Sequence, residues 1–342
     1  METGQLPRVV FLVPKYILDS VSFVVYQYAV SLRKMEFDAV ICSLRSPSLV
    51  ADPSVRAPIW NIFSCDTLVT NLFLPDLAGF LISRVFSRIK WIPFLHCDIV
   101  GGLAAEGRAF ARLKACIWRA VLSRAELVIS PSRYALRSLP SVRRATIIPH
   151  CIDQTLDAEF RDQAQATRPD RAAAPSSDIV HGACAGQRYV FIGRDTRGKR
   201  LKSLLQLLAL DPHSRLKIIG AIDHSRSALD QLPPSQAARC LLLGRQFDPY
   251  RHVEPGEVVV CPSGREGFGL VPVECIARNI PVAVLDEGVF KELYGHTSMV
   301  YSRIADLPRH VDRISSDLVG IRECYVGPRA LGRRVALLVL LL

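Results

Sequence analysis

Apolar residues in this chain fall into short unbroken runs, separated by longer stretches where they recur every three or four positions. Runs of the first kind occupy 9–13, 38–42, 59–63, 91–95, 127–130 and 146–149. Each is four or five residues long, as expected of a strand buried on both faces. The stretches between them predict helices over 20–33, 77–89 and 105–123, and from Ser132 to about 139. Strands alternating with helices imply a parallel sheet covered on both sides. Both periods vanish over 154–187, a segment rich in Asp, Gln, Arg, Ala, Pro and Ser. That composition predicts an interdomain connection. The rhythm resumes with runs at 189–193, 216–220, 240–243, 258–261 and 282–285 and a helix over 201–210. It is lost again after 319, where the last residues, 335–342, are apolar throughout but too few to cross a bilayer.

The pattern therefore predicts an α/β fold of two Rossmann-like domains. Their expected bounds are 1–153 and 188–318, with an interdomain segment at 154–187 and an atypical apolar tail at 319–342. A chain of 342 residues, 49% hydrophobic, is long enough to bury two cores. The net charge of +11 suits phosphate-bearing substrates and peripheral contact with an anionic membrane surface. Nucleic acid is not an expected partner, because no zinc-finger or RNP-type signature accompanies the charge. Ten cysteines are scattered without a C-x-x-C pair. Cys42, Cys116 and Cys275 lie in apolar runs and read as small buried hydrophobes, which predicts a reducing, cytoplasmic location. Nothing at the N-terminus resembles a signal peptide. The longest apolar stretch, 72–95, is interrupted by Asp76, Arg84, Arg88 and Lys90.

Candidate chemistry concentrates in residues 261–274, Cys-Pro-Ser-Gly-Arg-Glu-Gly-Phe-Gly-Leu-Val-Pro-Val-Glu. A predicted strand ends in a loop carrying Gly267 and Gly269, and Pro272 then suits the first turn of a helix. A strand, a glycine loop and a helix N-terminus form an anion site, since free N–H groups and the helix dipole point at the ligand. Glu266 and Glu274 bracket the loop with seven residues between them and add acceptors for hydroxyl groups. Diphosphate together with hydroxyls describes a nucleotide-sugar.

This stretch resembles the E-x7-E signature of retaining glycosyltransferases of the two-domain GT-B fold, in particular glycosyltransferase family 4 (glycosyl transferases group 1). The resemblance implies two domains facing a cleft. It implies that Glu266 contacts the donor sugar and Glu274 the ribose. The backbone of Phe268, Gly269 and Leu270 would lie against the sugar and diphosphate. Gly193-Arg194 follows a strand, with Lys199 five residues on, and resembles the family's diphosphate-binding loop. The usual Lys-Gly order is reversed here as Gly198-Lys199, so Arg197 or Lys199 could fill the second cationic role. Cations are needed because negative charge grows on the leaving diphosphate as the glycosidic bond breaks. No cofactor and no bound metal is implied.

Phe94-Leu-His96-Cys-Asp98 ends a strand of the first domain, where members of the family carry a His near the donor sugar and the acceptor. His96 could hydrogen-bond a sugar hydroxyl, and Asp98 could take the acceptor's proton instead. Two segments, 130–134 and 148–153, resemble structural landmarks of the family, although Cys151 replaces a customary Gly. The loop 14–22 lacks the family's glycine pair. The tail also departs, because the family ends in a helix that returns to the first domain. Here the last residues replace that helix, meet a membrane surface or represent a damaged terminus. The resemblance implies transfer of a sugar from a nucleotide-sugar donor to an acceptor hydroxyl; the basic charge points to a glycan or lipid-linked acceptor, and the expected location is the cytoplasm, with peripheral contact at the inner face of the membrane. A nucleotide-sugar epimerase or phosphorylase of the same fold, or a catalytically degenerate sugar-binding relative, would fit the same residues.

Overall fold

The computed structural model describes residues 6–17, 19–45, 55–99, 110–139, 141–166, 186–221, 225–311, 314 and 318–342. The chain divides into two compact units. The first comprises Met1–Ala104, Arg108–Pro169 and Glu323–Leu342, and the second Ala105–Gly107 and Asp170–Arg322.

Six parallel strands build the sheet of the first unit: β1 (Arg8–Val13), β2 (Asp38–Ser43), β3 (Thr67–Asn71), β4 (Lys90–Phe94), β5 (Val128–Ser130) and β6 (Ala145–Ile147). Their order is β2-β1-β3-β4-β5-β6. The order reverses between β1 and β3, where Val9–Leu12 pairs with Thr67–Thr70. Helix α1 (Ser20–Arg33) follows β1 and is buried along most of its length, because its central turns carry Phe23, Val24, Val25, Tyr26 and Tyr28. Asp19 starts it as an N-cap, accepting from Ser22 N at 2.8 Å.

Strand β3 was not legible as an apolar run, because Thr67, Thr70 and Asn71 interrupt it. These polar side chains are buried, and those of Thr70 and Asn71 are hydrogen-bonded, as burial demands. The expected strand at 59–63 is instead a 3₁₀ turn, Ile59–Phe63. Only Ile62 of that segment is buried; Trp60 and Phe63 are exposed. The expected helix at 105–123 is seen as α3 (Ala111–Leu122), its first part lying outside the described residues.

Thr70 also anchors a polar chain through the core. Trp91 Nε1 donates to Thr70 Oγ1 (2.9 Å), and Thr70 Oγ1 donates to Asp76 Oδ1 (2.6 Å). Trp118 Nε1 of α3 donates to Asp76 Oδ2 (2.7 Å). Asp76 sits in helix α2 (Phe73–Val85) and is fully buried. Burial pushes its carboxyl up to about 7, against the two hydrogen bonds, which favour the charged form. The folded protein therefore holds a proton here between the unfolded value near 4 and about 7, and this stabilisation is lost as pH rises through that window. A shift of this size corresponds to on the order of 4 kcal/mol. The parent should thus lose stability relative to Asp76→Asn on going from about pH 4 to about pH 8, measured by urea unfolding. Parallel pH profiles for the two proteins would contradict it.

The segment expected to be an irregular connection begins with a helix, α4 (Gln154–Ala166). Asp153 caps it, accepting from Thr155 N (3.0 Å) and Leu156 N (3.1 Å). Phe160 packs against Tyr16, Phe23 and Tyr26 with ring centroids 5.3–6.2 Å apart. The stretch expected as an atypical apolar tail is also largely helical, over Leu318–Tyr325 and Pro328–Val339. Ala330, Leu331, Arg334, Val335 and Leu338 form one buried stripe of the last helix. Arg334 reaches Pro149 O (3.3 Å), and Gly327 N donates to Ile152 O (2.7 Å), so this helix belongs to the first unit.

The second unit holds β7 (Arg188–Ile192), β8 (Arg215–Ile219), β9 (Cys240–Gly244), β10 (Glu257–Cys261), β11 (Val282–Leu285) and β12 (Val300–Tyr301). All pair in parallel, in the order β12-β11-β10-β7-β8-β9. The order reverses between β7 and β10. Ligands of open parallel sheets bind beyond the carboxyl ends of the strands at such a point.

Candidate functional site

Two loops leave the carboxyl ends of β7 and β10 side by side. Residues 193–200 follow β7, and residues 262–269 follow β10 into helix α5 (Leu270–Ala277). Gly264 N meets Gly198 O at 3.3 Å, which ties one loop to the other. The first loop is also pinned to the end of β8. Gly193 N donates to Ile219 O (3.0 Å), and Asp195 N to Ala221 O (2.7 Å). The buried Asp195 carboxylate accepts from Ser225 N and from Ser225 Oγ (2.9 Å). Gly220 is essential to this packing, since a Cβ there would lie 1.8 Å from Gly193 O.

Across the junction, Lys199 Nζ and Glu266 Oε1 form an ion pair at 2.5 Å. Both side chains are largely covered, at 27% and 17% exposure. Burial alone would lower the Lys199 pKa, but the charge and hydrogen bonding of Glu266 outweigh it and hold the ammonium above its ordinary value. Lys199 is thus a fixed positive charge at the foot of the loop. Arg194 and Arg197, from the same loop, are exposed. Arg200 turns away to pair with both oxygens of the Glu287 carboxylate.

The second loop ends at Gly269, whose φ of 79° is open to glycine at little cost. A Cβ there would also strike Phe290 Cε1 at 2.5 Å. Phe268 beside it is buried, so its ring anchors the loop while the backbone leads into α5 at Leu270. Glu274, one turn into α5, is approached by a residue that sequence reasoning missed. Tyr250 Oη donates to Glu274 Oε2, and the Arg278 guanidinium lies 4.5 Å from the centroid of the Tyr250 ring. Burial, with the Glu274 charge behind it, pushes the Tyr250 phenol well above its usual pKa and keeps it a donor. Tyr250 lies in a 3₁₀ turn, Pro249–His252, and only the fold brings it to Glu274.

The remaining candidates, His96 and Asp98, lie in the first unit beyond the carboxyl end of β4. His96 Nε2 is 2.7 Å from Asn71 Oδ1. The His96 ring packs on Phe94 (centroids 5.0 Å) and on His150 (5.2 Å), and Phe94 and His150 are 5.4 Å apart. Burial lowers His96 to about 3 and His150 well below its ordinary value, so both imidazoles are neutral. Asp98 lies two residues beyond His96 and is part-exposed. Asn71 and His150 were not singled out for chemistry in the sequence. In the loop 14–22, which lacks glycine, the N-terminus of α1 already carries the Asp19 carboxylate. Among the described residues no group of three or more His, Cys, Asp or Glu could hold a metal ion. No helix among them is long and apolar enough to cross a membrane.

The sequence model of the family described as "Glycosyl transferases group 1" matches residues 186–317, a span that contains both loops of the second unit. No curated protein sequence matches the chain significantly. Among solved structures, Anabaena Alr3699/HepE in complex with UDP-glucose is 15% identical with a TM-score of 0.73, covering 98% of this chain and 100% of that one. The lipopolysaccharide outer core galactosyltransferase WaaB, in its apo form, is 13% identical with a TM-score of 0.66, covering 98% and 100%. Sucrose-phosphate synthase from Thermosynechococcus elongatus is 18% identical with a TM-score of 0.63, covering 97% and 94%. At these identities the likeness is one of fold: two parallel six-stranded α/β sheets, the architecture of GT-B glycosyltransferases.

Proposed function

We propose that this protein transfers a glycosyl group, with retention, from a nucleoside diphosphate sugar to an acceptor hydroxyl, as the family 4 resemblance implies. The observation that carries the reading is the junction at the β7/β10 switch point. There the Lys199–Glu266 pair stands beside the backbone that enters α5 at Phe268, Gly269 and Leu270. The match to glycosyl transferases group 1 supports it, as does the UDP-glucose held by a protein of like fold.

In this reading Lys199, Arg194 and Arg197 neutralise the diphosphate, and the N-terminus of α5 adds its dipole. As the bond to the sugar breaks, charge builds on the departing phosphate oxygens. Cations fixed beforehand stabilise that charge without reorganising. This leaves no role that requires a metal ion or cofactor. Glu266 takes a donor-sugar hydroxyl with the oxygen not committed to Lys199, and Glu274, held by Tyr250, takes the ribose hydroxyls. His96 and Asp98 belong to the sugar and the acceptor. We extend the reading to a glycan or lipid-linked acceptor and to peripheral contact with an anionic membrane, both argued from the basic charge, and to a cytoplasmic location, argued from the scattered cysteines, in glycan or glycolipid biosynthesis.

The test is a scan of nucleotide-sugars for thermal stabilisation and for release of nucleoside diphosphate, run with and without acceptor sugars. A true donor at about 100 times its dissociation constant should stabilise the fold by roughly 2.7 kcal/mol. Stabilisation with diphosphate release is the expected result. Release of an epimerised donor would replace transfer with epimerisation. Absence of stabilisation by every donor, in a folded protein, would overturn the donor site.

A further inference from the structure

His96 has two ring nitrogens, and its chemistry depends on which one bears the proton. Tautomers are assigned from the hydrogen-bond partners, and here the partner is itself constrained. Asn71 is completely buried at the end of β3. Its Nδ2 faces Leu12 O at 3.1 Å and Val69 O at 3.4 Å. Both are carbonyl oxygens, which only accept, so the amide cannot be turned over without setting oxygen against oxygen. Its Oδ1 must then face His96 Nε2, at 2.7 Å. An amide oxygen only accepts, so Nε2 must carry the hydrogen. The ring's plane is held by its contacts with Phe94 and His150.

We propose that Asn71 is a positioning residue that holds His96 in its Nε2–H form, leaving Nδ1 as a lone-pair acceptor for a hydroxyl group of the substrate. Leu12, Val69 and Asn71 belong to β1 and β3, the two strands on either side of the switch point of the first sheet, so the device is built into the sheet itself. His96 is kept neutral by burial. It therefore offers a lone pair, without a competing positive charge, throughout the physiological pH range. Such a lone pair accepts from an O–H or N–H group, and a sugar hydroxyl is the donor that the glycosyl-transfer reading supplies. The inference rests on the glycosyl-transfer reading for its ligand, a sugar hydroxyl; the tautomer stands without it.

The experiment uses the full chain labelled with ¹⁵N, with the His96 signals assigned by their loss in His96→Gln. Long-range ¹H–¹⁵N spectra distinguish a protonated from an unprotonated ring nitrogen. The parent should show Nε2 protonated and Nδ1 bare, unchanged from about pH 5 to about pH 9. Asn71→Asp keeps an acceptor before Nε2 but sets its second oxygen against Leu12 O and Val69 O; where it folds, Nε2 should stay protonated. Asn71→Leu removes the acceptor and should give a mixture of tautomers. A parent carrying its proton on Nδ1 would overturn the proposal even if neither variant folds. A folded Asn71→Leu with the parental pattern would overturn it too. With a donor found by the scan, Asn71→Leu should lower kcat by about 10-fold with KM changed little, as expected for a misoriented group. Unchanged kcat beside a scrambled tautomer would refute the link to substrate. Failure of every donor would count against glycosyl transfer and leave the tautomer result standing on the spectra.

Discussion

Glu266→Ala is expected to lower release of nucleoside diphosphate by about 10²–10³-fold while the protein remains folded, the scale seen when one fixed polar group is removed from a charge-stabilising site. Two effects combine. The donor sugar loses an acceptor, and Lys199 loses the carboxylate that holds its pKa up. What remains at Lys199 is burial, which disfavours its charge just where the leaving diphosphate needs it. The stability cost should stay near 1 kcal/mol, because both side chains keep some solvent. Glu266→Gln, which retains an acceptor but not the charge, should fall between parent and alanine. Turnover within about threefold of the parent in Glu266→Ala, measured at saturating donor, would show that the pair is structural.

Gly220→Ala should be the most damaging small substitution outside the reacting groups. The new Cβ would sit 1.8 Å from Gly193 O and 2.7 Å from Gly193 C, and backbone atoms cannot swing aside. The residue also has φ at 146°, a conformation that alanine rarely adopts. Loss of about 3 kcal/mol or more is expected in urea unfolding, together with loss of donor binding as the 193–195 loop is pushed off β8. Gly332→Ala is the contrasting control. It lies on the exposed face of the last helix with nothing within 4 Å of the new Cβ, and should stabilise by roughly 0.5–1 kcal/mol. If the two variants unfolded at similar denaturant concentrations, the close approach of the loops at Gly220 would be wrong.

Strands made of apolar runs were legible at once. β1, β2, β7, β8, β10 and β11 are written in Val, Ile, Leu and Phe because helices cover both faces of a parallel sheet. β3 was not legible, because its Thr70 and Asn71 serve partners in other elements: Asp76 of α2, and Leu12 O of β1. A polar residue in the middle of a sheet looks like a loop until its partner is known. The apolar run at 59–63 misled for the opposite reason, as most of it covers the surface rather than entering a sheet. Helix α4 carried signals that polar composition hid: Asp153 as a cap, then Leu156 and Phe160 four residues apart on one buried face. The last helix hid its stripe behind Arg329, Arg333 and Arg334, of which Arg334 is itself buried against Pro149 O and the Tyr325 ring.

At the candidate site the division is similar. Sequence by itself determined the loop after β10, since two glycines, a helix start and two spaced glutamates are local features that need no distant partner. It likewise placed Arg194, Arg197 and Lys199 on one loop after β7. Tertiary structure alone decided that Lys199 faces Glu266, that Tyr250 holds Glu274, and that Asn71 and His150 meet His96. Each of those contacts joins residues on different elements, far apart along the chain. Backbone propensity and hydrophobic spacing act over a few residues, whereas a hydrogen bond or an ion pair depends only on where the folded chain puts its two ends.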